Sequence, residues 1–296
     1  MPSPSPRRRR SLTPSSTPAP APPEARDGAA LPRDVLFDVF LRLGPREIMR
    51  GAERACTGWR RAAVEEPALW RRVDMTAVPT LSRRRWQAMS RAAVDRGAGQ
   101  CEAFSGPCDD DLLLYLVERA PSLRSLHLSH DNVSKIALNV EILERLPLLE
   151  DVEISLSYFS DYVSQKLFES ICQACPGLKK LRMSFDVCHD SNYYDDYMDS
   201  YVGDAYTIPV MCELRSLELL CYDLTAAGLT AILDNCPLLE TLNISSGNII
   251  IMDEELQAKC ARVKNLTLPC YSDDEYYEEY DPDQGFELDS DDEFYY

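Results

Sequence analysis

The sequence predicts an α/β chain: a short N-terminal helical unit followed by a solenoid of repeats with a parallel sheet on its concave side. Two observations predict it. A pattern of the form L-x-x-L-x-L recurs through residues 123–268, with amphipathic helical stretches between the recurrences. Ahead of it, residues 31–70 show apolar residues at helical spacing, broken by Gly44-Pro45.

Six segments align: Pro121-Ser-Leu123-Arg-Ser-Leu126-His-Leu128, Pro147-Leu-Leu149-Glu-Asp-Val152-Glu-Ile154, Pro176-Gly-Leu178-Lys-Lys-Leu181-Arg-Met183, Leu214-Arg-Ser-Leu217-Glu-Leu219, Pro237-Leu-Leu239-Glu-Thr-Leu242-Asn-Ile244 and Val263-Lys-Asn-Leu266-Thr-Leu268. The aligned leading positions are 26, 29, 36, 25 and 24 residues apart. Most of these fall at or near the leucine-rich-repeat period of about 20–29. Each L-x-L reads as a strand whose alternate residues face the core, and stacked strands make the sheet. Helices are expected at 111–120, 139–146, 164–175, 225–236 and 253–261, with one more at 82–94 and a degenerate first strand at 100–104. Six or seven repeats result. The one overlong spacing holds an Asp- and Tyr-rich insertion at 190–206. It is either a loop on the binding face or a disordered surface loop.

In the helical unit, Leu31-Pro32-Arg33-Asp34 reads as a helix start, because a first-turn proline loses no hydrogen bond. Val35, Leu36, Val39, Phe40 and Leu43 make one apolar stripe. Gly44-Pro45 ends that helix and opens another, which carries Ile48, Met49, Ala52, Cys56 and Trp59. About 40 residues seldom hold enough core to stand alone, so a partner or neighbouring domain is expected.

Composition excludes several classes. The formal net charge is −18, which argues against a nucleic-acid partner, whose phosphates require a cationic surface. The apolar runs are too short and too interrupted to span a membrane. Eleven scattered cysteines and no secretory h-region point to reduced thiols in the cytoplasm, the nucleus or both. Residues 1–29 form a Pro-, Ser- and Arg-rich leader, expected to be disordered, in which Arg7–Arg10 could serve nuclear import. Residues 271–296 carry twelve Asp/Glu and no Lys or Arg, an acidic tail expected to stay solvated. The expected domains are 1–29, 30–75, 76–270 and 271–296.

The run Leu31-Pro-x-x-x-Leu36…Phe40-x-x-Leu43…Ile48…Cys56-x-x-Trp59-Arg60…Pro67-x-Leu69-Trp70 resembles the F-box. With the repeats behind it, most of residues 31–270 resembles plant F-box/leucine-rich-repeat proteins. That resemblance implies a substrate receptor of a Skp–cullin–F-box ubiquitin ligase. The helical unit would bind the Skp adaptor, and through it a cullin, and the repeats would hold a target protein. It also implies that Leu31, Pro32, Val35, Leu36, Val39, Leu43, Ile48, Trp59 and Trp70 form or support the adaptor contact. Gly44, and the helix-weakening Gly51-Ala52-Glu53, depart from the family pattern. The rival reading is a non-catalytic repeat scaffold with a vestigial F-box.

No catalytic constellation is legible. The imidazoles are His127, His130 and His189, no Gly-rich phosphate loop occurs, and Cys172-x-x-Cys175 lacks the second pair that zinc requires. Neither cofactor nor metal is expected, and Cys175, Cys236 and Cys260 read as small buried residues of the repeat turn. Target binding is assigned to the outward positions of the strands: Ser125, His127, Asp151, Glu153, Lys180, Arg182, Ser216, Glu218, Thr241, Asn243, Asn265 and Thr267. This polar set of mixed charge suits a protein surface better than a small apolar ligand.

Overall fold

The computed structural model describes residues 31–76, 82–132, 140–157, 161–186, 207–220, 224–245 and 252–269. The leader, the 190–206 insertion and the acidic tail lie outside them.

Eight strands form one open parallel sheet in sequence order: β1 (Arg72–Asp74), β2 (Ala103–Asp109), β3 (Ser125–Asn132), β4 (Asp151–Ser157), β5 (Lys180–Asp186), β6 (Ser216–Leu220), β7 (Thr241–Ser245) and β8 (Asn265–Thr267). In-register pairing stacks Val73, Phe104, Leu126, Val152, Leu181, Leu217, Leu242 and Leu266 in one apolar row. Leu128, Ile154, Met183, Leu219 and Ile244 make the next row. Period-two side-chain alternation sends the residues between them to the other face.

The sheet begins earlier than the sequence reading places it. The strand expected at 100–104 is β2, and it runs to Asp109; β1 precedes it, inside the segment read as helical unit. The degenerate strand and the six repeat segments correspond to β2–β8, and β1 is one strand more. β1 is three residues long, too short for its alternation to show in the sequence.

Helices fill the other layer. They are α1 (Arg33–Arg50), α2 (Thr57–Glu65), α3 (Arg83–Arg96), α4 (Asp110–Arg119), α5 (Val140–Leu143), α6 (Asp161–Ala174), α7 (Ala226–Asn235) and α8 (Glu254–Cys260). Gly44, at φ 78° and ψ 166°, breaks α1 into two segments, and Pro45 restarts the helix as expected. The repeat helices α4, α7 and α8 begin on polar caps: Asp109, Thr225 and Asp253 accept from the amides of Leu112, Gly228 and Leu256 at 3.0, 3.1 and 2.8 Å. Among the described residues α5 covers Val140–Leu143 of the helix expected at 139–146.

One turn recurs before the strands. The amides of Leu123, Leu149, Leu178, Leu214, Leu239 and Val263 donate to the carbonyls of Ala120, Leu146, Cys175, Met211, Cys236 and Cys260. The accepting residue is buried each time. Its expected smallness is not general, because Leu146 and Met211 fill the place the cysteines take elsewhere. The residue just before each strand is charged. Arg71 pairs with Glu102, Arg124 and Lys179 with Glu150 at 2.6 and 3.0 Å, and Arg215 and Lys264 with Glu240 at 2.9 and 3.2 Å. Carbonyls of the same positions, from Arg71 to Glu240, accept the amides that open the next strand. Opposite charges one strand apart favour this register, although each exposed pair contributes only about 0–1 kcal/mol.

Gly106 on β2 is required by a close approach. Its φ is +145°, and a Cβ there would stand 2.9 Å from the Met75 Cβ and 3.1 Å from its backbone carbon. Gly106→Ala is expected to destabilise the chain by about 1–3 kcal/mol in denaturant unfolding. An unchanged midpoint would refute the close approach.

The core runs unbroken from Leu36 to Val263, so the helical unit shares its interior with the first repeats. Trp70, fully buried, ends the 3₁₀ turn Pro67–Trp70. Its Nε1 donates to the Ala63 carbonyl at 2.8 Å. The Arg96 guanidinium lies 4.8 Å from the centroid of its ring and pairs with Glu53 at 2.7 Å. Phe40 meets Trp59 edge-on at 5.7 Å. The neighbouring domain that the small helical unit requires is the solenoid itself.

Candidate functional site

Two surfaces carry the residues singled out from the sequence. The first lies on α1 and α2, and burial divides the predicted adaptor set. Leu36, Ile48 and Trp70 face the chain's own core at 5% exposure or less. They therefore support the surface and touch nothing outside it. Val39 and Trp59 are half-buried. Leu31, Val35 and Leu43 stand 39%, 43% and 38% exposed, with Pro32 exposed beside them. Leu41 and Val64 are exposed as well, and the sequence reading missed both. Leu41 lies off the α1 stripe and Val64 is the one large apolar residue between Arg60 and Glu66, so periodicity marks neither. The stripe read as one face is two: one half is buried in the chain's own core, the other meets solvent. Scattered exposed apolar residues are ordinary, but Val35 and Leu43 share one stripe of α1, with Leu31 just ahead of it, and form an apolar patch along that edge.

Beside the patch, a groove of about 400 Å³ opens between α1, the end of α2 and the 3₁₀ turn Pro67–Trp70. Phe37, Phe40, Ala62 and Leu69 line its floor, and Arg33, Asp34, Asp38 and Glu66 its rim.

The second surface is the outward face of the sheet. Pairing brings the assigned target-binding residues into two adjacent rows. One runs Ser125, Asp151, Lys180, Ser216, Thr241, Asn265; the other runs His127, Glu153, Arg182, Glu218, Asn243, Thr267. Ten of the twelve are half-buried; Asn265 and Thr267 on the edge strand are exposed. Polar contacts cross the strands. His127 Nε2 lies 3.0 Å from Asp151 Oδ2 and 3.1 Å from Ser125 Oγ, and the Ser125 hydroxyl also reaches Asp151 at 3.4 Å. Arg182 bridges Glu153 and Glu218, 3.7 Å from each. Asn265 donates to Thr241 at 3.3 Å. Asp151 Oδ1 is buried with no hydrogen-bond partner.

The Ser125–His127–Asp151 cluster is not a nucleophile relay. Ser125 and Asp151 share the same imidazole nitrogen, and Glu153 is 3.9 Å from the other. A relay needs serine and acid on opposite nitrogens.

The hydrogen bond to Asp151, with the charges of Asp151 and Glu153, raises the His127 pKa above its ordinary value despite partial burial. Burial pushes the Asp151 carboxyl up. The hydrogen bond and charge of His127, with Lys180 and Ser125, outweigh that and leave it below the usual carboxylate value. A raised histidine stabilises the fold fully below its unfolded pKa near about 6.5, and the contribution fades as pH rises through the folded value. A lowered aspartate contributes above about 3.9 and loses that as pH falls. The pair is therefore most stabilising between about pH 4 and 6.5. His127→Gln is expected to cost up to about 1 kcal/mol near pH 5.5, since both side chains are about a third exposed and screened, and less by pH 8. Urea midpoints across pH check it; a cost that grows with pH would refute the pair.

The buried thiols are not activated. Burial raises Cys101 and Cys236 to about 12 and Cys175 to about 11, and raises Cys108 and Cys172 too. Among the described residues no group of three or more His, Cys, Asp or Glu is placed to hold a metal ion, and no helix is long and apolar enough to cross a membrane. His189 lies outside the described residues, as does the insertion. The return from that insertion is anchored: the Thr207 amide donates to buried Glu169 on α6 at 2.9 Å, with Gln165 and Lys166 also on that carboxylate.

Comparison with known proteins covers both the helical unit and the repeats. Residues 29–76 match the F-box-like family model, a span that holds α1, α2, Trp70 and β1. The chain is 34% identical to Putative F-box/LRR-repeat protein 22 of Arabidopsis thaliana over 81% of its own length and 76% of that protein. It is 32% identical to Putative F-box/LRR-repeat protein 23 of the same plant over 84% of its length, spanning 55% of that longer protein. It is 31% identical to F-box protein SKIP19, also of Arabidopsis thaliana, over 80% of its length and 75% of the relative. These alignments run through both the helical unit and the repeats, and the chain belongs to the family of plant F-box/LRR-repeat proteins.

Proposed function

We propose that the chain is a non-catalytic substrate receptor of a Skp–cullin–F-box ubiquitin ligase, working in the cytoplasm, the nucleus or both. The F-box docks on a Skp adaptor, and through it on a cullin; the outward face of the sheet holds a target protein. One observation carries this reading. The F-box helices leave Leu31, Val35 and Leu43 exposed along one edge while Leu36, Ile48 and Trp70 are buried in a core that continues into the solenoid. An apolar patch held on a rigid mount is what an interface core requires. A capping helix that only sealed the first repeat would turn a polar face outward. Chemistry would belong to other subunits, and this chain would contribute positioning.

The target-binding face offers Asp151, Glu153 and Glu218 as acceptors around Arg182 and Lys180. It suits a folded protein surface or a peptide of mixed charge.

Co-purification tests the adaptor step. The full chain is expected to retain a Skp adaptor, and Leu31→Ala with Pro32→Ala to weaken that capture by about tenfold or more. Capture unchanged by the double substitution, or absent from the unaltered chain, would sink this reading in favour of a repeat scaffold with a vestigial F-box.

A further inference from the structure

The chain keeps its charge extremes far apart in sequence. Residues 31–96 hold fourteen Arg, no Lys and eight Asp/Glu, whereas residues 271–296 hold twelve Asp/Glu and no cation. Several acids of the first segment are already engaged: Glu47 with Arg46 at 3.4 Å, Glu53 with Arg96 at 2.7 Å, and Glu65 with Arg33 and Arg61 at 3.7 Å each. Others remain on the groove rim. Among the described residues, Arg42, Arg50, Arg54, Arg60, Arg84 and Arg85 are exposed and have no ion-pair partner. The first four sit on α1, the 3₁₀ turn Ala52–Arg54 and α2, which pack on one another. The last two open α3, which packs on the 3₁₀ turn Pro67–Trp70. Unneutralised guanidinium groups at this density create a positive field on an otherwise anionic molecule, and planar carboxylates are their natural complement.

We propose that this arginine surface of the F-box unit is a docking surface for an acidic polypeptide, and that residues 271–296 of the same chain occupy it. Reach permits the contact. The described chain ends at Pro269, two residues beyond β8, the far edge of the sheet from β1. Seven strand spacings of about 4.8 Å put β1 about 34 Å away. The 27 residues from 270 to 296 extend to about 90 Å, and self-repulsion favours extended forms. A tethered segment within reach acts at an effective concentration on the order of millimolar, an advantage no free acidic partner has. Each exposed Arg–carboxylate contact is weak and screened by salt. The summed contact is therefore reversible and sensitive to ionic strength. Arg42 lies between Leu41 and Leu43 on α1, so a docked tail lies next to the apolar patch. This consequence rests on the adaptor reading above: tail and adaptor compete. The docking itself does not rest on it.

Hydrogen–deuterium exchange on the full chain tests the docking. Four chains are compared at about 20 mM and about 500 mM salt: unaltered, with the twelve acids of 271–296 replaced by Asn or Gln, with Arg42, Arg50, Arg54 and Arg60 replaced by Ser, and with both sets replaced. At low salt the unaltered chain is expected to exchange about threefold more slowly over residues 42–60 than the neutral-tail chain, with the difference gone at high salt. Combining tail neutralisation with the arginine replacements is expected to add nothing to either alone. Equal exchange in the first two chains at low salt overturns the proposal. So does protection that persists without the four arginines, or protection that appears only on the strands. The sheet strands serve as the folding control. A Skp adaptor is then titrated at low salt, where the neutral-tail chain is expected to bind about threefold more tightly. An adaptor that binds neither chain sinks the receptor reading and leaves the exchange result standing.

Discussion

Trp70→Ala is expected to destabilise the protein by about 3–5 kcal/mol and to loosen the F-box from the solenoid. Trp70 is fully buried. Its removal opens a cavity, strands the Ala63 carbonyl that its Nε1 now satisfies, and leaves Arg96 without the ring beneath it. Denaturant unfolding gives the magnitude. Hydrogen exchange gives the location: α1, α2 and β1 should lose protection while β4 to β7 keep theirs. A loss below about 1 kcal/mol would mean that the F-box core does not depend on this joint.

Val35→Asp with Leu43→Asp is expected to have the opposite profile. Both side chains are about two-fifths exposed, so unfolding midpoints should move by no more than about 0.5 kcal/mol. Adaptor binding should fall by about 100-fold or more, because two carboxylates would have to be buried unpaired in an apolar interface. Titration against a Skp adaptor reads the effect. Full affinity in the double variant would move the contact off this edge of α1. Together with Trp70→Ala, the pair separates mounting from docking, which the sequence pattern alone merges.

That merger shows where sequence reading stops. Val35, Leu36, Val39, Phe40 and Leu43 share one periodic stripe, and periodicity reports which residues are apolar without saying against what they pack. Leu36 and Phe40 turned out to serve the chain's own core, Val35 and Leu43 the solvent. The repeat rows were legible because each carries several apolar residues at fixed spacing. β1 was not, because Arg72-Val73-Asp74 has a single apolar residue and acquires strand geometry only by pairing with Ala103–Ser105. The ion-pair ladder before the strands was equally hidden. Arg124, Glu150 and Lys179 are 26 and 29 residues apart, and only the sheet register sets them side by side.

By itself the sequence determined the class of fold, the F-box start at Leu31-Pro32, the Gly44 break and the identity of the outward-facing residues, because each follows from local spacing. Tertiary structure alone decided the rest: which F-box residues remain free, how Ser125, His127 and Asp151 meet, and that the F-box and solenoid share one core. Those depend on contacts between residues distant in the chain, and short-range periodicity carries no information about them.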